Sequence, residues 1–291
     1  MLYFALIALL IGAGASFILS KRITTRALGL LAALSAVLAA LAVALDAAVS
    51  LALPALVLLE TGDVRIALEP VVAEADRVPA LLLLTGGALL LGVVATALAP
   101  TLREFGAIFG WATIALASGL IAVVQPAVSL LLPGAWATLT LAIYAMLRAS
   151  GTLSRSERFP LLPFGGFLAS LLLLVALLDI GARLAEQGQP AALALAAAVL
   201  AVLLFGVVPP LSGATEEIHA APTAFGAFCY GLLLPLVALS WLLKLTGSLP
   251  VVDTSLANSL VFIGAVGMLG AAAAALRTHS LRVLVGWQAA A

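Results

Sequence analysis

The sequence predicts an all-α membrane protein of about nine transmembrane helices, and three observations predict it. Hydrophobic residues make up 65% of the chain and charged residues only 9%, against roughly 25% charged in a typical soluble domain. The charges gather in short clusters between apolar runs. Those runs are long enough to cross about 30 Å of hydrocarbon, which takes about 20 helical residues. A single transmembrane domain over residues 1–291 follows.

Nine runs meet the length requirement, at 2–19, 27–46, 78–99, 105–124, 127–148, 161–182, 191–208, 223–245 and 256–277. The first reads as a retained helix rather than a secretory leader, because no basic segment precedes it and Lys21 and Arg22 follow it. Between the second and third runs lies the longest polar interruption, 60–77, with seven of the 26 charges. Its alternating stretch from Val64 to Glu69, stopped by Pro70, fits a hairpin or loop on the membrane surface. Gln125 and Pro126 divide the fourth and fifth helices by a tight turn. The seventh run stops at Gly206, Pro209 and Pro210, before an irregular polar stretch holding Glu216, Glu217, His219 and Pro222. After Arg277 the tail, 278–291, is too short to span, and Leu281, Val283, Leu284 and Trp287 among polar neighbours fit an interfacial segment.

Basic residues orient such a chain, because Lys and Arg are retained on the cytoplasmic side. One side collects Lys21, Arg22, Arg26, Arg103, Arg148, Arg155, Arg158, Arg277 and Arg282, and the other only Arg65, Arg77, Arg183 and Lys244. The N-terminus is therefore expected outside, the 60–77 segment extracytoplasmic and the C-terminal tail cytoplasmic, in a prokaryotic inner membrane. Helix contacts are expected through small residues, with Gly86, Gly87 and Gly92 on helix 3 and Gly264, Gly267 and Gly270 on helix 9 as candidate stripes.

Candidate chemistry is sparse. An ionisable residue at the bilayer centre marks an ion or proton path by default. Asp46, Asp179 and Lys244 all fall near predicted helix ends, where carboxylates reach water and long side chains extend to the headgroups. The hydroxyls at depth, Thr113, Ser118, Thr138, Thr140, Ser170 and Ser240, can return their hydrogen bonds to the preceding turn of their own helices. No Ser/His/Asp set and no paired carboxylates stand out, so no catalytic residue is assigned. His219 and His279 lie on loops separated by two helices, and Cys229 is the sole cysteine, so no metal or cofactor site is expected. The 13 basic and 13 acidic residues cancel, giving no attraction to nucleic acid. The polar break from Gly206 to Pro222 is the most informative segment, since interrupted helices line cavities in transporters; a helix ended by prolines before a solvated loop is the plainer reading.

At this segment the chain resembles the antiporter-like membrane subunits of respiratory complex I, shared with multi-subunit sodium/proton antiporters and membrane-bound hydrogenases. In that family a seventh helix leads into Pro-Phe-His-x-Trp-x-Pro-Asp and then Ala-Pro-Thr. Here Pro209 matches the first proline, Glu216 stands for the acidic residue, and Ala221, Pro222 and Thr223 match the last three, while Leu211 and Gly213 replace the histidine and tryptophan. Ser280 to Trp287 is similar to the opening of the family's tenth helix, and a surface hairpin between helices 2 and 3 is shared. The resemblance implies helices 1 to 9 of that fold, one of its two inverted repeats, without the second half and the lateral helix.

The departures shape the functional expectation. Pumping members carry a glutamate on helix 5, usually after a tryptophan, and lysines on helices 7 and 8. Here the corresponding positions hold Ala137, Leu204 and Pro235, all uncharged. The resemblance therefore implies an accessory, non-pumping subunit in the membrane arm of an NADH-quinone oxidoreductase-like or related ion-translocating complex, with other membrane subunits and lipid as partners. The electron-transfer chemistry would stay with those partners. Two other readings stand beside it: half of a split translocating subunit completed by a partner chain, and an independent small-solute carrier.

Overall fold

The computed structural model describes residues 1–46, 53–61, 64–97, 106–149, 161–186, 192–205, 229, 233–248 and, between 258 and 269, Asn258, Val261, Phe262, Gly264, Ala265, Met268 and Leu269. Helices α1 (Leu2–Leu19) and α2 (Thr25–Leu45) come first, then an antiparallel hairpin of β1 (Leu56–Thr61) and β2 (Val64–Leu68). Helices α3 (Glu74–Ala97), α4 (Gly106–Val124), α5 (Leu131–Ala149), α6 (Leu161–Glu186), α7 (Ala192–Phe205) and α8 (Leu234–Ser248) follow. The described residues between 258 and 269 are helical as well.

Four of these helices, α1 to α4, are long and apolar enough to cross a membrane. Their surfaces decide the solvent. Ile11 is 66% exposed, Ile18 73% and Leu89 72%, with further leucines, valines and phenylalanines on the outward faces of α2, α6 and α8. Patches of this size on a protein in water drive association, whereas hydrocarbon accepts them at no cost. The backbone obeys the same constraint, since a helix satisfies its N–H and C=O groups internally. The chain is an integral membrane protein.

Helix α4 is the hub. It packs against α1, α2, α3, α5 and α8, and 78% of its most apolar window is buried, against 39–44% for α1 to α3. Close approach comes from glycine. A methyl on Gly29 of α2 would collide with Ala95 of α3 and the Phe109 ring of α4, and one on Gly166 of α6 would collide with Thr140 of α5. Of the two stripes expected from sequence, Gly87 makes such a contact, against Leu116. Gly92 and Gly264 face nothing within 4 Å, and Gly267 and Gly270 lie outside the described residues. Spacing along a helix identifies a smooth face but not which helix meets it.

Three boundaries differ from the sequence reading for identifiable reasons. Helix α3 begins at Glu74, not residue 78, because Glu74 and Asp76 in its first turn favour the positive end of the helix dipole, and Pro79 is accommodated within it. Helix α5 begins at Leu131, not residue 127; a turn precedes it, in which Ser129 N–H donates to the Pro126 carbonyl at 3.0 Å and Ser129 Oγ accepts from Leu131 N–H at 3.3 Å. Helix α6 runs on to Glu186, so half-buried Asp179 sits about 10 Å, at 1.5 Å per residue, from the helix end rather than beside it.

Candidate functional site

The polar groups of the described chain concentrate at the end of the bundle that carries the hairpin. Tyr3 at the start of α1 pins the hairpin through one hydroxyl. It donates to the carbonyls of Pro54 at 2.8 Å and Leu68 at 3.1 Å, and accepts from Leu56 N–H at 2.8 Å. Asp46, which follows α2, accepts from the Met1 amino group at 2.9 Å and from Val72 N–H at 3.2 Å. Gln125 is fully buried, and its Oε1 accepts from Glu69 N–H at 3.4 Å while its Nε2 has no partner among the described residues. Together these ties hold the segment between α2 and α3 down on the bundle.

The ionic centre of this end is Lys244. Proline at 126 ends α4, since it supplies no N–H and disfavours a helical Gln125 before it. The terminal carbonyls of α4 are then left without intrahelical donors. Helix α8 brings two donors to this end, one to the α4 carbonyl of Val123 and one to the turn beyond Pro126. Trp241 and Lys244, three residues apart, share one face. The Trp241 indole N–H donates to the Ala127 carbonyl at 3.0 Å, and its ring meets the fully buried Trp136 edge to face at 5.6 Å. The Lys244 ammonium donates to the Val123 carbonyl, to the Gln125 carbonyl at 2.9 Å and to Asp76 Oδ2 at 2.9 Å. Each of its three protons therefore has an acceptor. A cation at the C-terminus of α4 and a carboxylate in the first turn of α3 are both favoured by the helix dipoles.

The middle of the bundle is built differently. Thr113 Oγ1 donates to the Phe109 carbonyl at 3.0 Å, Thr138 to Gly134 at 2.8 Å, Thr140 to Trp136 at 2.8 Å and Ser170 to Gly166 at 2.8 Å. These hydroxyls serve their own helices, as the sequence led one to expect. No ionisable side chain falls in the middle third of any described helix.

The three positions singled out by the resemblance lie on three different helices. Ala137 is half-buried beside Trp136 on α5, Leu204 is the penultimate residue of α7, and Pro235 is exposed in the first turn of α8. The broken-helix residues Gly206, Pro209, Pro210, Glu216, Glu217, His219 and Pro222 lie outside the described residues, as do His279 and the 278–291 tail. Among the described residues no three His, Cys, Asp or Glu side chains gather to hold a metal. Sequence reading placed Lys244 near a helix end, did not single out Asp76 and so missed their pairing. The signal available was the lysine three residues after a tryptophan, opposite a helix end stopped by proline.

With the geometry in hand, the bundle can be compared with known proteins. No family model matches the sequence, and no curated protein matches it. Among solved structures, a chain of the Mrp complex from Dietzia sp. DQ12-45-1b superposes with a TM-score of 0.78 at 19% sequence identity. The two share a fold. The alignment covers 99% of the present chain and 33% of the Mrp-complex chain, so the present chain spans about a third of that protein's length. An Mrp-like fold fits this mostly helical membrane bundle, in line with the coarse architecture expected from the sequence.

Proposed function

We propose that this protein is an accessory, non-pumping subunit of an antiporter-type or complex I-related membrane assembly, acting as a spacer or seal beside subunits that translocate ions. The observation that carries this reading is the absence of an ionisable side chain from the middle third of every described helix. A proton crossing hydrocarbon needs a group to rest on, and desolvating the bare ion costs far more than any packing contact returns. Uncharged Ala137, Leu204 and Pro235, where pumping relatives of the resembled family carry charge, point the same way. The fold shared with a chain of a multi-subunit complex supports membrane-embedded partners. In this reading nine helices span a prokaryotic inner membrane, the hairpin end faces outward, and Leu56 to Leu59, all exposed on β1, meet a neighbouring subunit or the lipid surface.

A second reading draws on the uncharged Ala137, Leu204 and Pro235: the protein is half of a translocating unit whose channel charges belong to a partner chain. Gentle detergent extraction followed by mass spectrometry of the intact assembly tests both. Co-purification with complete antiporter-like subunits supports the spacer. Stoichiometric pairing with a short polypeptide bearing mid-membrane lysine supports the split unit. Recovery as a free monomer or homodimer contradicts both and favours an independent carrier.

A further inference from the structure

The acceptors around Lys244 are those of a cation site. Three oxygens from separate parts of the chain converge on one point: the Asp76 carboxylate from α3, the Val123 carbonyl from the end of α4 and the Gln125 carbonyl from the turn that follows. Only one of the three carries a formal charge, so the set matches a single positive charge and is too weak for a divalent ion. Carbonyls at a helix C-terminus are the groups that interrupted helices use to hold monovalent cations in membrane transporters. Rings of carbonyl oxygen replace the water of potassium in the same way. The side chains of Asp76 and Lys244 are 11% and 17% exposed, so water screens the point only weakly.

We propose that Asp76, Val123 and Gln125 form a monovalent-cation site whose resident cation is the tethered ammonium of Lys244. An ammonium and a potassium ion are nearly the same size, so oxygens spaced for one accept the other with little movement. Lys244 thus holds the site closed to free alkali cations and locks α8 onto α3 and α4. Removing the amine opens the site to potassium. The inference goes beyond the accessory reading and stands whether or not the chain conducts protons.

The test uses the full chain in lipid nanodiscs, with melting followed in potassium chloride, sodium chloride and choline chloride at equal ionic strength. Lys244→Ala should melt lower than the wild type in choline and recover by roughly 5 °C in 0.3 M potassium, through binding to the folded state. The wild type should melt alike in all three salts, and the double variant Asp76→Asn/Lys244→Ala should show no recovery. Lys244→Ser, which leaves space and adds a hydroxyl oxygen, serves as the second variant. Recovery by potassium or sodium that requires Asp76 supports the site. Melting that ignores the salt in both single variants, an equal gain in the wild type, or recovery that persists without Asp76 overturns it. Failure of both single variants to fold in any salt also overturns it, because the proposal requires a free cation to replace the amine.

Discussion

The hairpin end and the middle of the bundle spend polar groups in opposite ways. At the hairpin end, Tyr3, Asp46, Asp76, Gln125 and Lys244 reach across the chain, with partners 26 to 168 residues away. In the middle, the hydroxyls of Ser16, Ser35, Thr113, Thr140 and Ser170 each close their bond within one turn of their own helix. The difference follows from the solvent. Near the headgroups an ion pair can be held by helix ends and partial water, whereas at depth a polar group that looks outward for a partner is costly. Charge is used here to fasten helices at one end, and packing to hold them in between.

The comparison can be broken at four places. Trp241→Ala should have the largest effect, because it removes the edge contact to Trp136 and the donor to Ala127 together; a loss of about 3 kcal/mol is expected in reversible unfolding in detergent. Asp76→Asn should cost about 2 kcal/mol, since it leaves the Lys244 ammonium enclosed without its countercharge. Tyr3→Phe should cost about 1 kcal/mol, and faster hydrogen exchange at Leu56 N–H, which loses its acceptor, would localise the loss to the hairpin. Thr113→Val should be the mildest, within about 0.5 kcal/mol, because the hydroxyl returns its bond to its own helix and the replacement keeps its shape. A Thr113 effect as large as that of Asp76 would erase the distinction between the two regions.

Much of the fold was legible because hydrocarbon imposes long apolar runs. The positions of α1, α2 and α4 follow within about two residues, the accuracy to which helix ends are defined. The hairpin was placed at 60–77, but β1 starts at Leu56, where an uncharged Leu-Val-Leu-Leu run offers no alternation to mark a strand. The starts of α3 and α5 were obscured by Pro79 and by the turn after Pro126, where local signals compete with a continuing apolar pattern.

The candidate site was less legible. Lys244 and Asp76 are 168 positions apart in sequence (244 − 76); Lys244 read as a charge near a helix end, and Asp76 fell within the 60–77 polar segment without being singled out. Both do lie near helix ends, but the sequence offered no means of pairing them. Gln125 read as a turn residue and does lie between α4 and α5, but its full burial against Glu69 N–H was not legible. Long-range pairing is set by which helices are neighbours, and hydropathy carries no information about that. That Ala137 is uncharged, by contrast, needed no structure, since residue identity alone gives it.

The most direct measurement is proton flux through the purified protein in sealed liposomes under an imposed membrane potential, read with an entrapped pH dye. Flux indistinguishable from protein-free vesicles is the expected result. Sustained flux that disappears on neutralising one acid or lysine of this chain would contradict the account.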